Sequence, residues 1–210
     1  MRKKMDEEQR EINKNNILNC TKSIVESEGF EGISIRKVAK LAGYTEGNVY
    51  NYFDNKDTLI TELIQLGYQQ ILKATMVDLD EGLSIEEQII QRFIKYTKAA
   101  LEMPEYYKAI MFSEDPKILE ITSVLNNKTK DGKKGIQKLE RLIRKGMETG
   151  EFIEEDHTLI ARIIWTANFG LTLRLIIENQ SNEKEIETLI EDQLGLFFKG
   201  LRKRRSENGN

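Results

Sequence analysis

Apolar residues recur three or four positions apart along most of the chain, and this spacing limits the folds open to it. The last such segment carries Ile186, Leu189, Ile190, Leu194, Phe197 and Leu201. Side chains spaced in this way lie on one face of an α-helix. The sequence shows no strand-like alternation and contains only 2 Pro. We therefore expect an all-α protein of about nine helices.

Capping residues place four helices in the first third of the sequence. The first is expected to end at Gly29, which tolerates a positive φ, and Ser34 begins a short second helix. Thr45 is placed to cap a third helix that runs to Phe53. Asn55 is placed to cap a longer fourth helix.

Amphipathic helices are predicted in the remainder of the chain near 84–102, 104–112, 116–149, 157–179 and 183–203. The third of these crosses residues 126–135, whose composition is that of a loop. The apolar residues nevertheless keep their helical phase through this stretch, which a loop has no reason to preserve. We therefore predict one long helix from 116 to 149.

The scarcity of reactive side chains argues against an enzyme. One Cys and one His rule out a disulfide or a Cys/His zinc cluster within one subunit. The sequence also lacks a glycine-rich phosphate loop and paired carboxylates in an apolar surround. We expect no catalytic residues, no metal and no cofactor. The charged start, MRKKMDEEQR, is unlike a signal peptide, so we expect a cytoplasmic protein.

A short helix, a turn containing Gly43 and a second short helix have the spacing of a helix-turn-helix, whose second helix enters the major groove of DNA. Val49 and Phe53 lie four positions apart and are expected to hold that second helix to a core. The side chains left to face outward are Glu46, Asn48, Tyr50, Asn51 and Tyr52. Side chains of these types hydrogen-bond base edges and phosphates, so the pattern favours DNA binding.

Charge neither supports nor opposes a nucleic-acid partner. The net charge is −3, but the first sixty residues hold equal numbers of acidic and basic side chains. The excess of acid lies in the middle of the chain. The segment with the helix-turn-helix is therefore neutral rather than repulsive to DNA.

The stretch ILNCTKSIVESEGFEGISIRKVAKLAGYTEGNVYNYFDNKDTL, from Ile17 to Leu59, resembles the DNA-binding signature of the TetR (tetracycline repressor) family of bacterial transcriptional repressors. The resemblance implies a helix-turn-helix domain at residues 1–56 and a helical effector-binding and dimerisation domain at residues 57–205. It also implies a homodimer that binds a palindromic double-stranded DNA operator and responds to a small, largely apolar effector.

The same resemblance assigns DNA contacts residue by residue. Tyr50 and Lys56 would bind phosphates, and Gly47 would allow close approach of the backbone. The groove-facing residues would be Tyr44, Thr45, Asn48, Asn51 and Tyr52, with flanking contacts from Ser34 and Arg36. Glu46 departs from the family pattern. It is either a bystander or an acceptor for a cytosine amino group.

The effector pocket is expected among aromatic and polar side chains of the second domain. The candidate lining residues are Tyr68, Phe93, Tyr96, Tyr107, Met111, Met147, Trp165, Asn168 and Phe169. Ordinary core packing is the alternative for each of them. Asn168 is the most informative, because an amide on an apolar helix needs a partner from a ligand, another helix or a dimer mate.

Two C-terminal segments carry more apolar surface than one subunit is expected to cover. Residues 157–179 are apolar nearly all round, and residues 183–203 have one apolar face. A symmetric dimer through both segments would bury this surface. A rival hypothesis remains open, in which the chain is a helical protein-interaction module whose helix-turn-helix does not bind DNA.

Overall fold

The computed structural model describes residues 7–76, 82–124 and 134–203, and these residues form ten α-helices. In chain order the helices are α1 (Glu7–Glu28), α2 (Ile35–Ala42), α3 (Glu46–Tyr50), α4 (Lys56–Lys73), α5 (Ile85–Leu101), α6 (Pro104–Met111), α7 (Pro116–Thr122), α8 (Lys134–Glu148), α9 (His157–Ile177) and α10 (Glu183–Leu201). Within the described ranges there is no β-strand, only one isolated bridge between Phe152 and Arg202. The prediction of an all-α fold is confirmed.

The prediction of one long helix from 116 to 149 is wrong. Helix α7 ends at Thr122, and the backbone of Ser123 is extended, with φ −66° and ψ 123°. Residues 126–133, which are most of the loop-like segment, lie outside the described residues, and α8 begins at Lys134. Ile118 on α7 and Ile136 on α8 are buried in the same core. The apolar phase is therefore maintained because both helices pack on one core, and it does not require a continuous helix.

The predicted caps of the N-terminal helices are confirmed. The side chains of Ser34, Thr45 and Asn55 each accept a hydrogen bond from a backbone N–H three residues ahead. Gly29 has a φ of 70°, as expected for the residue that ends α1. Helix α3 ends at Tyr50 rather than at the predicted Phe53, because the chain must turn there to reach the cap of α4.

The buried side chains form two hydrophobic clusters. The smaller one joins α1, α2, α3 and the first half of α4, and we call this region the head. The larger one joins the rest of α4 with α5 to α10, and we call this region the body. Helix α6 contributes to both, since Tyr106 packs in the head cluster and its neighbour Tyr107 in the body cluster. Gly67 lets α4 approach α6 closely, because a Cβ at this position would overlap the Tyr106 ring.

Helix α9 is unusually apolar. By length and composition alone it could cross a membrane, although 44% of its apolar window is buried inside the protein. One side, with Ile164 and Trp165, packs in the body cluster. The other side exposes Leu159, Ile163 and Ile177 to about half of their full extent, at 52%, 46% and 49%. One face of α9 is therefore core, and the other is left uncovered in the single chain.

Candidate functional sites

Helix α3 is held to the head by the two side chains that its spacing singled out. Val49 and Phe53 are 0% and 1% exposed, within the head cluster. The left-handed Gly43, with a φ of 73°, ends α2 and turns the chain toward α3. This geometry matches the predicted helix-turn-helix, in which the second helix presents its outer face.

All eleven predicted DNA contacts keep accessible surface. Tyr44, Tyr52 and Lys56 are half-buried, and the exposed members are Ser34, Arg36, Thr45, Glu46, Gly47, Asn48, Tyr50 and Asn51. Tyr50 is the clearest case of this exposure, because half of its large aromatic side chain is accessible to water. The predicted set thus lies along the start of α2, the turn, the outer face of α3 with the residues that follow it, and the start of α4.

The capping hydroxyl of α3 also orients a neighbouring amide. Thr45 Oγ1 accepts from the backbone N–H of Asn48 at 3.3 Å and donates to Asn48 Oδ1 at 2.8 Å. Because the amide oxygen is engaged, Asn48 presents its NH₂ group to a partner. That group donates to phosphates and to acceptors on base edges.

Two residues of α1 support the end of α3, and sequence reasoning missed them. Arg10 Nη2 donates to the carbonyl of Asn51 at 3.1 Å, and the guanidinium carbon lies 5.4 Å from the centre of the Tyr52 ring. Asn13 Nδ2 donates to the Tyr52 hydroxyl at 3.1 Å. These contacts join positions about forty residues apart, so local spacing gave no signal for them.

The predicted effector-binding residues meet in the body. Met111 is partly buried against the body cluster, seven of the others are buried within it, and Asn168 is a buried polar residue on the same helix as Trp165 and Phe169. Trp165 is central, with ring centres 5.6 Å from Phe93, 5.8 Å from Tyr96 and 5.6 Å from Phe169. The ring of Tyr96 stacks on Phe169 at 6.1 Å. The structure therefore brings these aromatics together, as both the pocket and the core-packing hypotheses require.

Several polar atoms are buried among these rings. Trp165 Nε1 and Asn168 Oδ1 find no hydrogen-bond partner among the described residues. The other side of the Asn168 amide donates to Thr172 Oγ1 at 3.4 Å, and that hydroxyl lies 3.1 Å from Thr97 Oγ1. An unpaired buried donor or acceptor is costly, so atoms of this kind point to an absent partner.

The rings of Tyr96 and Tyr107 lie edge to face with their centres 6.2 Å apart, and the hydroxyl of Tyr96 has no hydrogen-bond partner among the described residues. Burial raises the pKa of Tyr96 well above its ordinary value, and the nearby Tyr107 and Tyr68 add to that shift. Burial likewise raises the pKa of Tyr107, whose hydroxyl donates to the Phe169 carbonyl at 3.3 Å. A phenol is already neutral at pH 7. Tyr107 uses its one proton on the Phe169 carbonyl, whereas the hydroxyl of Tyr96 remains able to donate to a ligand.

A small apolar cavity of about 30 Å³ lies between α5, α8 and α9, next to the end of α4. It is lined by Thr75, Ile89, Arg92, Phe93, Tyr96, Lys138, Leu139, Leu142 and Trp165. Only Phe93, Tyr96 and Trp165 belong to the predicted set. The other six were missed, because aliphatic and cationic residues on amphipathic helices are more often core and solvated faces. The volume is that of about one water molecule, so a larger ligand requires the walls to move.

Comparison with known proteins agrees with the helix-turn-helix geometry described above. The family model described as bacterial regulatory proteins, tetR family, matches residues 17–63. The chain is 21% identical over 186 residues to the fatty acid metabolism regulator protein of Bacillus subtilis (strain 168), covering 88% of this chain and 93% of that protein.

Solved structures share the fold over nearly the whole chain. The fatty acid degradation regulator FadR from Bacillus halodurans is 19% identical, with a TM-score of 0.67 and coverage of 91% of this chain and 96% of that one. A transcriptional regulator from Rhodococcus sp. Rha1 is 16% identical, with a TM-score of 0.66 and coverage of 91% and 99%.

The helix-turn-helix head on an all-α body defines the class of protein, a bacterial DNA-binding transcription regulator. Within that class, the helix-turn-helix segment at residues 17–63 is that of the tetR family of bacterial regulatory proteins.

Proposed function

We propose that the chain is a transcriptional repressor that binds a palindromic double-stranded DNA operator as a homodimer and is released by a small, largely apolar effector. The observation that carries the DNA-binding part is the outer surface of α3. Val49 and Phe53 fix this helix from inside, while Asn48 and Tyr50 stay exposed outside. An aromatic ring left in water on a fixed helix is explained by contact with a duplex.

The proposed division of labour places DNA binding in residues 1–56 and effector binding and dimerisation in residues 57–205. The proposed DNA contacts are the eleven residues of the turn, α3 and its flanks described above. Helix α4 packs in both hydrophobic clusters, as α6 does, and it is the continuous element that follows α3 directly and links head and body. A shift of this helix on effector binding changes the position of α3.

Dimerisation is supported by the uncovered face formed by α9 and α10. Leu159, Ile163 and Ile177 on α9 are exposed together with Leu189 and Leu196 on α10. Gly170 lies mid-helix on α9, where an added Cβ would meet nothing within 4 Å among the residues that the structure describes. Glycine weakens a helix by about 1 kcal/mol relative to alanine, so close approach of a partner helix gives this glycine a role.

The DNA-binding proposal is tested by fluorescence anisotropy with DNA from upstream of the protein's own gene. Tyr50→Ala and Lys56→Gln should each weaken binding by about tenfold. Lys56→Gln should also lower the salt slope by about 2 for a dimer, because two phosphate contacts are lost. Lys73→Gln, which removes one lysine from the opposite end of α4, is the control and should bind as the parent does. Absence of binding in all four proteins would favour the protein-interaction module, and equal binding by all four would mean that the DNA contacts lie elsewhere.

A substitution at Glu46 distinguishes two possible roles of its carboxylate at the DNA interface. If its carboxylate is a bystander near phosphates, Glu46→Ala binds the operator as well as the parent or better. If it accepts from a cytosine amino group, the variant loses about 1–3 kcal/mol at one base position. Titration of both proteins against single-base changes in the operator distinguishes the two.

The dimer is tested by analytical ultracentrifugation of Ile163→Asp. We expect a monomer that binds the full operator weakly, because a palindrome needs two heads. Leu119→Asp makes the same change at another exposed apolar residue, on α7, and should leave the dimer intact. A dimeric Ile163→Asp would place the interface elsewhere.

The effector is proposed to be largely apolar because the walls of the body cavity are apolar. Two relatives are named as regulators of fatty acid metabolism or degradation, and these names favour a lipid-derived effector. A reporter gene placed behind the operator should be silent with the protein and expressed when the effector is added. Expression that rises with the protein alone would instead make it an activator.

A further inference from the structure

Two buried side chains on neighbouring turns of helix α9 each carry an unpaired polar atom. Trp165 is 5% exposed and Asn168 is 0% exposed. Among the described residues, Trp165 Nε1 and Asn168 Oδ1 have no hydrogen-bond partner. Side chains three positions apart on a helix are neighbours on one face, with their Cβ atoms about 5–6 Å apart. An unpaired donor and an unpaired acceptor therefore lie close together inside the body.

The orientation of the Asn168 amide is set by its nitrogen. Nδ2 donates to Thr172 Oγ1 at 3.4 Å, and that hydroxyl lies 3.1 Å from Thr97 Oγ1 on α5. Because the NH₂ group is used within the protein, the carbonyl oxygen is the side left for a partner. Trp165 offers the opposite function, because an indole nitrogen can only donate. The pair therefore matches one group that accepts from Trp165 and donates to Asn168.

This pair adjoins the body cavity. Trp165 and Tyr96 both line the cavity, with their ring centres 5.8 Å apart. The hydroxyl of Tyr96 is a third buried atom without a hydrogen-bond partner among the described residues. A ligand in the cavity thus lies against Trp165 and Tyr96 and within one helical turn of Asn168. Its polar group would gain hydrogen bonds to atoms that are costly to leave unpaired.

The surroundings of the pair favour an uncharged ligand group. Among the residues that the structure describes, the buried polar side chains are threonines and Asn168, and no carboxylate, ammonium or guanidinium residue is buried. The two cations that line the cavity, Arg92 and Lys138, are half-buried and already take part in other interactions. An ionised head would therefore lose its hydration without gaining a buried counterion.

Hydrogen-bonding capacity narrows the choice further. An ether, an ester or a carboxylate only accepts, and an ammonium only donates. Each of these would leave either Asn168 Oδ1 or Trp165 Nε1 unpaired. A hydroxyl has one proton to donate and two lone pairs that accept, so it can pair with both atoms at once.

We propose that the body binds an uncharged amphiphile through a hydroxyl group, which accepts from Trp165 Nε1 and donates to Asn168 Oδ1. The second lone pair of the hydroxyl accepts from Tyr96, and the apolar part lies against walls such as Phe93 and Leu139. This inference rests on the proposed function, because it names the polar group of the effector. Because the cavity holds only about 30 Å³, its walls must separate as the apolar part enters.

Four ligands of nearly equal length test the hydroxyl: 1-decanol, its isomer 1-methoxynonane, decanoate and decylammonium. Each is titrated by calorimetry into the full-length protein at pH 7, without DNA and below the concentration at which micelles form. We expect decanol to bind about tenfold more tightly than the ether, which leaves Asn168 Oδ1 unpaired, and at least about tenfold more tightly than either ion. Trp165 is the single tryptophan of the chain, so a fluorescence change with decanol places the ligand beside it.

Two variants separate the two hydrogen bonds. Asn168→Leu should weaken decanol binding by about tenfold and leave ether binding unchanged, and the retained ether binding shows that the variant is folded. Trp165→Phe removes the donor that both ligand oxygens share, so it should weaken decanol and ether equally and keep their ratio. Thr122→Val is the control, because it removes a buried hydroxyl that donates to the Ile118 carbonyl on α7. It should bind all four ligands as the parent does.

Four results overturn the inference: equal affinity for decanol and the ether, unchanged decanol binding in Asn168→Leu, tighter binding of decanoate than of decanol, or no binding of decanol. The last result would leave a buried water as the partner of the two atoms. If decanol binds as expected but operator affinity does not change, the hydroxyl site stands and the effector role fails. If a different compound releases the operator while decanol does not bind, the effector role stands and the hydroxyl site fails.

Discussion

The head and the body differ in how far their candidate binding side chains are exposed to solvent. On the head, Tyr50 is 50% exposed and Asn48 and Asn51 also face water. In the body, Tyr96 and Asn168 are 1% and 0% exposed and are surrounded by rings. A partner as large as a duplex can be met only from outside, whereas a small ligand is bound best by groups that are already shielded from water.

The difference also appears in how hydrogen bonds are satisfied. The exposed groups of the head are held in place by Thr45, Arg10 and Asn13, which orient them before any partner arrives. The buried groups of the body include Trp165 Nε1 and Asn168 Oδ1, which lack partners within the described residues. The head is thus preorganised for contact, and the body keeps unpaired atoms at the expense of stability.

The sharpest test of this contrast uses two aromatics on the same short segment. Phe53→Ala empties a packed site in the head, and we expect it to lower the free energy of unfolding by about 3–5 kcal/mol. Tyr50→Ala removes an exposed ring and should change it by only about 0.5 kcal/mol. Urea denaturation of both variants measures this difference. If Tyr50→Ala proved as destabilising as Phe53→Ala, Tyr50 would be a structural residue.

The joint between head and body should be sensitive to a single methyl group. Gly67→Ala places a Cβ against the Tyr106 ring, whose edge also contacts Phe30 at 5.4 Å between ring centres. We expect a loss of about 1–3 kcal/mol in unfolding free energy, in spite of the higher helix propensity of alanine. Gly200→Ala adds a Cβ that has no neighbour within 4 Å in the described part of the chain, and it serves as the control. A Gly67→Ala protein as stable as the control would mean that α6 moves aside freely.

Sequence reasoning succeeded where a property is local. The spacing of Val49 and Phe53 and the capping types of Ser34, Thr45 and Asn55 are readable within a few residues, and the structure confirms each. Periodicity failed between α7 and α8, because it reports which side faces the core and not whether the chain is continuous.

The parts of the candidate sites that the sequence did not predict depend on contacts between residues far apart in the chain. Arg10 reaches Asn51 from α1, and Arg92 and Lys138 meet only when α5 and α8 pack together. In the sequence, each of these cations is indistinguishable from those on a solvated helix face. Their grouping, and the size of the cavity between them, required the three-dimensional packing.

Substitutions at Asn168 test whether a buried polar group of the body lowers the stability of the protein. Asn168→Leu removes a buried acceptor that has no partner among the described residues, and Thr172 keeps its contact with Thr97. We expect the unfolding free energy to rise by about 1 kcal/mol and effector affinity to fall. Asn168→Asp keeps the size of the side chain but buries a carboxyl group, and it should destabilise the protein. A loss of stability in Asn168→Leu would show that the amide is structural.

The smallest expected effect lies at the contact between α4 and α7. Thr61 Oγ1 donates to Asp115 Oδ2 at 2.5 Å, and this bond is the main cause of a lowered pKa at Asp115. A carboxyl group with a lowered pKa in the folded state adds stability above its ordinary value of 3.8, and this contribution disappears as the pH falls through the folded pKa. Thr61→Val should therefore cost about 1 kcal/mol at pH 7 and progressively less below about pH 4.

Urea denaturation at neutral and acidic pH measures how this difference changes. Thr188→Val is the matched control, because its hydroxyl donates to the Lys184 carbonyl and involves no carboxyl group. Its cost should be the same at both pH values. A Thr61→Val cost that is equally independent of pH would show that the hydroxyl acts only by packing. A cost that grows in acid would reverse the sign of the proposed linkage.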